Sequence, residues 1–356
     1  MDDSTPAEPT RRVTLADVAA KAGVSVSAVS FVLNGRTDQR ISERTEQRVQ
    51  AAADELGYRP NLTARTLRTG RSGTIALVSD FISTTSVANA MVRGALLELD
   101  RRDTMMFAVE TQGEPELENR LLHSLLARDV DGVIYAAMFT RVVEVPPILT
   151  GLPLVLLNCV PATPITAVPA VVPDEQAAGR AAARVLLEAG HRDRIQFLGT
   201  FPPGMVGAPR WHGWQPMALA DRLDGLREGL RAAGASLAGC TTVTDWEVAD
   251  GVRAATEALS ATDRPTALVC ANDRLALGAL RAARDLGLRV PVDLSVVSFD
   301  GSPLAEITEP PLSSFALPQE EMGRQAADLV LATRRTRRVH RVPMPLTGHT
   351  SVAAPA

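Results

Sequence analysis

A chain of 356 residues with a formal net charge of −4 has room for two or three domains, including a small module beside a large core. The opening MDDSTPAEPTRR is acidic and proline-bearing where a secretory leader is basic and then apolar, and no stretch approaches ~18 uninterrupted apolar residues, so secretion and a membrane partner are excluded and a cytoplasmic protein is expected. The three cysteines, Cys159, Cys240 and Cys270, lie too far apart for metal or redox spacing and are expected to be reduced, buried bystanders.

The small net charge conceals an asymmetry, because residues 11–71 carry +5 and the chain after Arg71 carries −6. A basic head on an acidic body suits a phosphate-binding module joined to a self-sufficient globular domain. After a tail over 1–12, Thr14 is placed to cap a first helix whose inner face is Val18, Ala19 and Ala22, and Gly23 supplies the permissive backbone of a turn. Ser25 is placed to cap a second helix with Val29, Val32 and Leu33 inward, ending at Asn34-Gly35. Two short helices with a glycine between them and a row of small polar groups outward make a helix-turn-helix. A third helix, from about Glu43, has Ser42 as its cap, Val49, Ala52 and Leu56 as its inner face and Gly57 as its stop. These segments predict an all-α head over 13–59. Asn61 can cap a further segment over 62–68, within a linker at 60–72, that is too short to stand as a free helix.

Beyond Gly73 the pattern changes to apolar strands, at 74–79, 105–110, 131–137, 152–158, 194–199, 266–272 and 294–301, alternating with Ala/Leu-rich helical stretches. This predicts an α/β body over 73–352 with two Rossmann-like lobes, each a parallel sheet covered on both faces. Ligands in such folds lie beyond the carboxyl ends of the strands. Those places hold Asp80, Thr84, Thr85, Asn158, Asn272 and Asp300, with Arg222 read as opening a helix and Trp246 following TTVTD. Acids, amides, an arginine and an indole suit a sugar, whose hydroxyls need donors and acceptors and whose C–H face packs on an aromatic ring. Asp, Asn and Thr are also ordinary capping residues at such turns. No Walker loop, GxSxG elbow, HExxH or metal-spaced His/Cys set occurs, so neither catalysis nor a cofactor nor a metal is expected.

The strings TLADVAAKAGVS, AVSFVLNG, ISERT, AAADELGYRPN and ARTLRTG resemble the DNA-binding head and hinge of the lactose-repressor (LacI/GalR) family. ALADRLDGLREGL, DWEVADG and PTALVCANDRLALGALRAARDLGLRVPVDLSVVSFDG are similar to that family's effector domain, which is periplasmic-binding-protein-like. The resemblance implies a sequence-specific transcription repressor of carbohydrate-utilisation genes, working as a homodimer on a palindromic double-stranded operator under a small-molecule effector, most directly a sugar. A purine- or other metabolite-responsive regulator, or a global activator or repressor, are the alternatives within the family. Carried onto matching positions, Val26, Ser27 and Phe31 face the bases, Ser30 and Asn34 the DNA backbone, and Leu67 is the wedge that enters the minor groove. Thr14, Ser25, Arg36, Asn61 and Ala64 complete the implied DNA-binding set, and Arg40 and Arg44 join Arg36 as phosphate contacts. Val26 and Phe31 stand where many members carry polar readers, which shifts recognition toward DNA shape and the hinge. In the effector domain the resemblance points to Arg222, Trp246, Asn272 and Asp300 as cleft residues. The loop before the arginine, TFPPGMVGAPRWHGWQPMALADR, is longer and more aromatic than usual, so Trp211, His212 and Trp214 either extend the cleft or cover a sheet edge.

Overall fold

Local capping sets the head in the computed structural model, which describes residues 13–33, 41–59, 66–67, 70–82, 88–163, 168–202, 216–333, 338–348 and 350–355. Helix α1 (Leu15–Ala22) starts at Thr14, whose hydroxyl accepts from the Asp17 amide at 3.3 Å while the Asp17 carboxylate accepts from the Thr14 amide at 2.8 Å, a reciprocal capping box. It stops at Gly23, whose φ of 62° is left-handed. The axis then bends by 105° into α2 (Val26–Leu33), where the Ser25 hydroxyl accepts from the Ala28 amide at 3.2 Å. Helix α3 (Glu43–Leu56) runs between Ser42 and Gly57 and sends Arg48 back to donate to the carbonyls of Ala22 and Gly23. That contact puts a cation at the negative end of α1. Among the described residues the fully buried side chains of the head's core are valines and alanines, with Val29 of α2 plugged between Val18, Ala19 and Ala22 of α1 and Val49, Ala52 and Ala53 of α3. Ala53 takes the buried place expected of Leu56, which stays half-buried. Among the described residues no single helix is long and apolar enough to cross a membrane.

The chain divides into two compact units, Met1–Ser72 and Gly73–Ala356. The second contains the two lobes that the alternating pattern predicts, each with a six-stranded sheet among the described residues, so five strands join the seven expected. Strands β1 (Thr74–Ser79), β2 (Met105–Glu110), β3 (Gly132–Val143), β4 (Leu154–Pro161), β5 (Ala170–Pro173) and, from far along the chain, β11 (Val339–Val342) form the first, in the order β11-β5-β4-β3-β1-β2 with every neighbour parallel. Alternate residues of one strand enter different cores. Ile75 and Leu77 pack with Met91, Leu99 and Met322 from helices α4 (Asn89–Asp100) and α11 (Gln319–Leu331), while Ala76 and Val78 pack with Leu122 and Leu125 of α5 (Pro115–Leu126) on the opposite face. Strands β6 (Ile195–Thr200), β7 (Leu237–Thr242), β8 (Ala267–Cys270), β9 (Ser295–Asp300), β10 (Ser313–Ala316) and β12 (Leu346–Thr347) form the second sheet, in the order β12-β10-β9-β8-β6-β7, with only the β10/β12 pair antiparallel. Helices α6 (Glu175–Glu188), α7 (Met217–Ala232), α8 (Val248–Leu259), α9 (Asp273–Asp285) and α10 (Pro303–Ile307) belong to this lobe. The chain therefore passes between the lobes three times, after β5, β10 and β11.

Three helix pairs meet on glycine. A Cβ at Gly179 of α6 would overlap the Arg222 carbonyl of α7, and one at Gly225 of α7 would overlap the Gln176 carbonyl of α6. Gly94 with Gly323 and Gly251 with Gly278 do the same for α4/α11 and α8/α9. Helix backbones that close together fix where the side chains at their ends arrive.

Several sequence expectations change. Strand β2 is an edge strand whose Met105 and Phe107 are exposed, so it is not covered on both faces. Cys240 is exposed, whereas Cys159 and Cys270 are buried and burial pushes the Cys159 thiol up to about 12. Arg222 lies in the second turn of α7, because the helix begins at Met217.

Candidate functional site

On the head, the residues proposed to read DNA share the solvent side of α2. Ser25, Val26 and Ser27 are exposed, and Ser30 and Phe31 are half-buried. Val26 is 46% and Leu67 85% exposed, so neither side chain is held in the core of the head. Thr14 and Arg44 are exposed as well, with Thr14 serving the capping box of α1. Asn34, Arg36, Arg40, Asn61 and Ala64 lie outside the described residues.

In the body, a cavity of about 350 Å³ is lined by the irregular stretch of β3, by Asn158 of β4, and by residues at or just beyond the ends of β1, β8 and β9. Its apolar wall includes Phe81, Met138, Phe139, Trp246 and Leu317, and its polar wall includes Thr140, Asn158, Glu175, Arg222, Asn272, Asp300 and Gln319. The Trp246 ring stacks on Phe201 with centroids 5.7 Å apart, and its indole N–H donates to the Gly199 carbonyl at 2.8 Å, so the ring is held with its polar edge already satisfied. Asn272 caps α9 by accepting from the Leu275 amide at 2.9 Å and donates to the Trp246 carbonyl at 3.3 Å. It is thus both a cap and a cavity residue, which dissolves the either/or posed by the sequence. Asn158 adopts φ 58°, accepts from the Thr140 hydroxyl at 2.7 Å and donates to the Ala137 carbonyl at 3.0 Å. That left-handed backbone, which asparagine tolerates, falls within β4 where its register with β3 shifts.

Arg222 is the most heavily bonded member. Nε and Nη2 donate to the two carboxylate oxygens of Glu175 at 2.5 and 3.0 Å, and Nη1 donates to the Ala271 carbonyl at 2.5 Å. Its guanidinium carbon sits 4.8 Å from the Phe299 ring centroid, and the Asp300 carboxylate is 3.6 Å from Nη2. Burial pushes the Asp300 carboxyl up to about 7, with Asp273 and Glu175 adding to the rise and Arg222 opposing it. Asp273 spends its carboxylate on the fold, accepting from the hydroxyls of Ser298 at 2.5 Å, Ser314 at 2.6 Å and Ser302 at 2.8 Å.

Asp80 does not join this group. Its carboxylate accepts from the amides of Phe81 at 2.7 Å and Met138 at 2.9 Å and pairs with Arg141 at 3.2 Å, beneath the cavity wall rather than on it. Burial raises its carboxyl despite those partners. Thr84, Thr85, Trp211, His212 and Trp214 lie outside the described residues. Sequence reasoning missed Glu175, Thr140, Phe81 and Gln319. Glu175 alone carried a signal, as an acid directly after the turn that follows AVVP, but a four-residue strand ending in proline did not register as a strand.

With this geometry in place, the chain can be set beside known proteins. Residues 14–61 match the family described as bacterial regulatory proteins, lacI family, and residues 183–351 match a periplasmic binding protein-like domain. The chain is 37% identical over 329 residues to the HTH-type transcriptional regulator CelR of Thermobifida fusca, covering 90% of this chain and 92% of that one. Among solved structures it is similar to the lac repressor dimer bound to operator and the anti-inducer ONPF, with a TM-score of 0.74, 26% identity, and coverage of 97% of this chain and 100% of that one. It is also similar to a complex of the transcriptional regulator CelR with cellobiose, with a TM-score of 0.62, 31% identity, and coverage of 96% and 100%.

Proposed function

The chain belongs to the lacI family of bacterial regulatory proteins, and from that premise we propose that it is a homodimeric repressor of carbohydrate-utilisation genes whose hold on a palindromic operator is set by a sugar. The observation that carries the effector reading is the cleft itself. Trp246, held flat on Phe201, lines the same cavity as Arg222, Asp300, Asn272 and Asn158, which brings together the aromatic surface and hydrogen-bonding groups that a saccharide requires. The protein acts by binding and not by catalysis, in the cytoplasm.

In this reading Val26, Ser27 and Phe31 meet base edges in the major groove, and Ser30 and Asn34 meet the DNA backbone. The helix N-termini at Thr14 and Ser25, together with Arg36 and Arg44, meet phosphates. Segment 60–72, with Asn61, Ala64 and Leu67, is the hinge that enters the minor groove. Ligand in the cleft draws the two lobes together about their three connections, and this changes whether the hinge segments of a dimer support one another.

Fluorescence anisotropy on a palindromic duplex tests the reading. Binding is expected to weaken steeply with salt and to change when a saccharide from a mono- and disaccharide panel is added. A response to purine bases alone would replace the sugar with a purine, and a failure to bind any palindromic duplex in a genomic selection would remove the regulator reading.

A further inference from the structure

Arg222 faces the cavity with its fork already occupied. A guanidinium is the side chain best shaped to take a carboxylate or phosphate by two parallel bonds. Here the chain's own Glu175 takes both, at 2.5 and 3.0 Å, and the side chains are only 3% and 2% exposed. The pair is built rather than incidental. Glu175 is the first residue of α6, where the helix dipole favours a negative charge, and the glycine contact between α6 and α7 brings that helix end to Arg222. Nearby charge adds to the effect. Asp300 stands 3.6 Å from the same guanidinium, and among the described residues the other cation lining the cavity, Arg274, pairs with Glu247 at 2.6 Å. An arriving anion would meet two carboxylates around an arginine whose two-pronged face is already taken.

We propose that Glu175 is a specificity-determining residue: by filling the Arg222 fork it closes the cleft to phosphorylated and acidic sugars and restricts the effector to an uncharged or cationic saccharide. The proposal rests on the carbohydrate reading of this cavity and narrows it. Neutral hydroxyls need no fork, since one can donate to the Asp300 carboxylate.

The test uses the full-length protein and its Glu175→Gln variant, which keeps an acceptor for the arginine but removes the charge. Calorimetric titration compares two matched pairs, cellobiose with cellobionate and glucose with glucose 6-phosphate, and a thermal-shift series adds millimolar inorganic phosphate as the simplest anion. The wild type is expected to bind the neutral member of at least one pair on the order of thirtyfold more tightly than its anionic partner, a gap that shrinks to roughly threefold or less in the variant. Phosphate is expected to raise the melting temperature of the variant only. Equal binding of neutral and anionic partners by the wild type overturns the proposal, as does a folded variant with an unchanged ratio. If no saccharide binds either protein while phosphate stabilises only the variant, the carbohydrate reading fails and the exclusion of anions by Glu175 stands. Should the variant not fold, stabilisation of the wild type by phosphate still counts against the proposal, and discrimination within a pair still counts for it.

Discussion

The head and the body carry their functional side chains in opposite ways. On the head, Val26, Ser27 and Leu67 stand outside a core of valines and alanines that is complete without them. In the body, Arg222, Glu175 and Asn272 are buried, and each is bonded into the fold as well as lining the cavity. Substitutions on the head should therefore separate recognition from stability, whereas those in the cleft should alter both together.

Arg222→Ala should break this contrast most visibly if it is wrong. It leaves Glu175 and Asp300 without their shared cation, and loss of one partner from a buried pair costs about 3–5 kcal/mol. Urea unfolding of the body should register that loss, and a variant as stable as the wild type would show that the cleft is tuned for ligand alone. Next comes pH. Asp300 has its folded pKa raised to about 7 from an ordinary value of 3.8, so its contribution is fully present below about pH 4 and is lost as pH rises through 7. Asp300→Asn should flatten that part of the stability profile, and the wild type should release protons on binding a ligand that donates to the carboxylate, as read by calorimetry in buffers of different ionisation enthalpy.

Gly225→Ala should drive the added methyl into the Gln176 carbonyl and lower body stability by about 1–3 kcal/mol, with no effect on the head. Thr14→Ala removes the capping box of α1 and should cost the head about 1 kcal/mol, measured as earlier amide exchange at Val18. Leu67→Ala should change stability by less than about 0.5 kcal/mol, because the side chain is 85% exposed, while operator affinity falls tenfold or more. A stability loss without an affinity loss would make Leu67 a structural residue and erase the distinction between the two regions.

What the sequence revealed follows the reach of the forces involved. Thr14, Ser42 and Gly57 act on amides or carbonyls within a few residues, so the start of α1 and the bounds of α3 were legible. The long apolar strands were legible for the same reason. Strand β10 was not, because Ser313 and Ser314 look like loop residues, and the groups that hold them come from far along the chain: the Ser314 hydroxyl donates to Asp273 and the Ser313 amide to the Ser351 hydroxyl. In the cleft, Arg222, Trp246, Asn272, Asn158 and Asp300 do come together, but Asp80 is claimed by Arg141, 61 residues further on, and Glu175 reaches Arg222 across 47 residues. Pairings over such separations leave no periodic trace in a single sequence.

The three passages between the lobes also bear on how the molecule is made. The first sheet is begun at Thr74, yet one of its faces waits for Met322 of α11 and one of its edges for β11. Everything from β6 to β10 lies between, so on the ribosome the lobe that starts first cannot be completed until nearly all of the second has been made. At ~5–20 residues per second the part of its apolar face that α11 covers stays open for on the order of ten seconds, which makes the nascent first lobe, rather than the finished protein, the natural client of a chaperone.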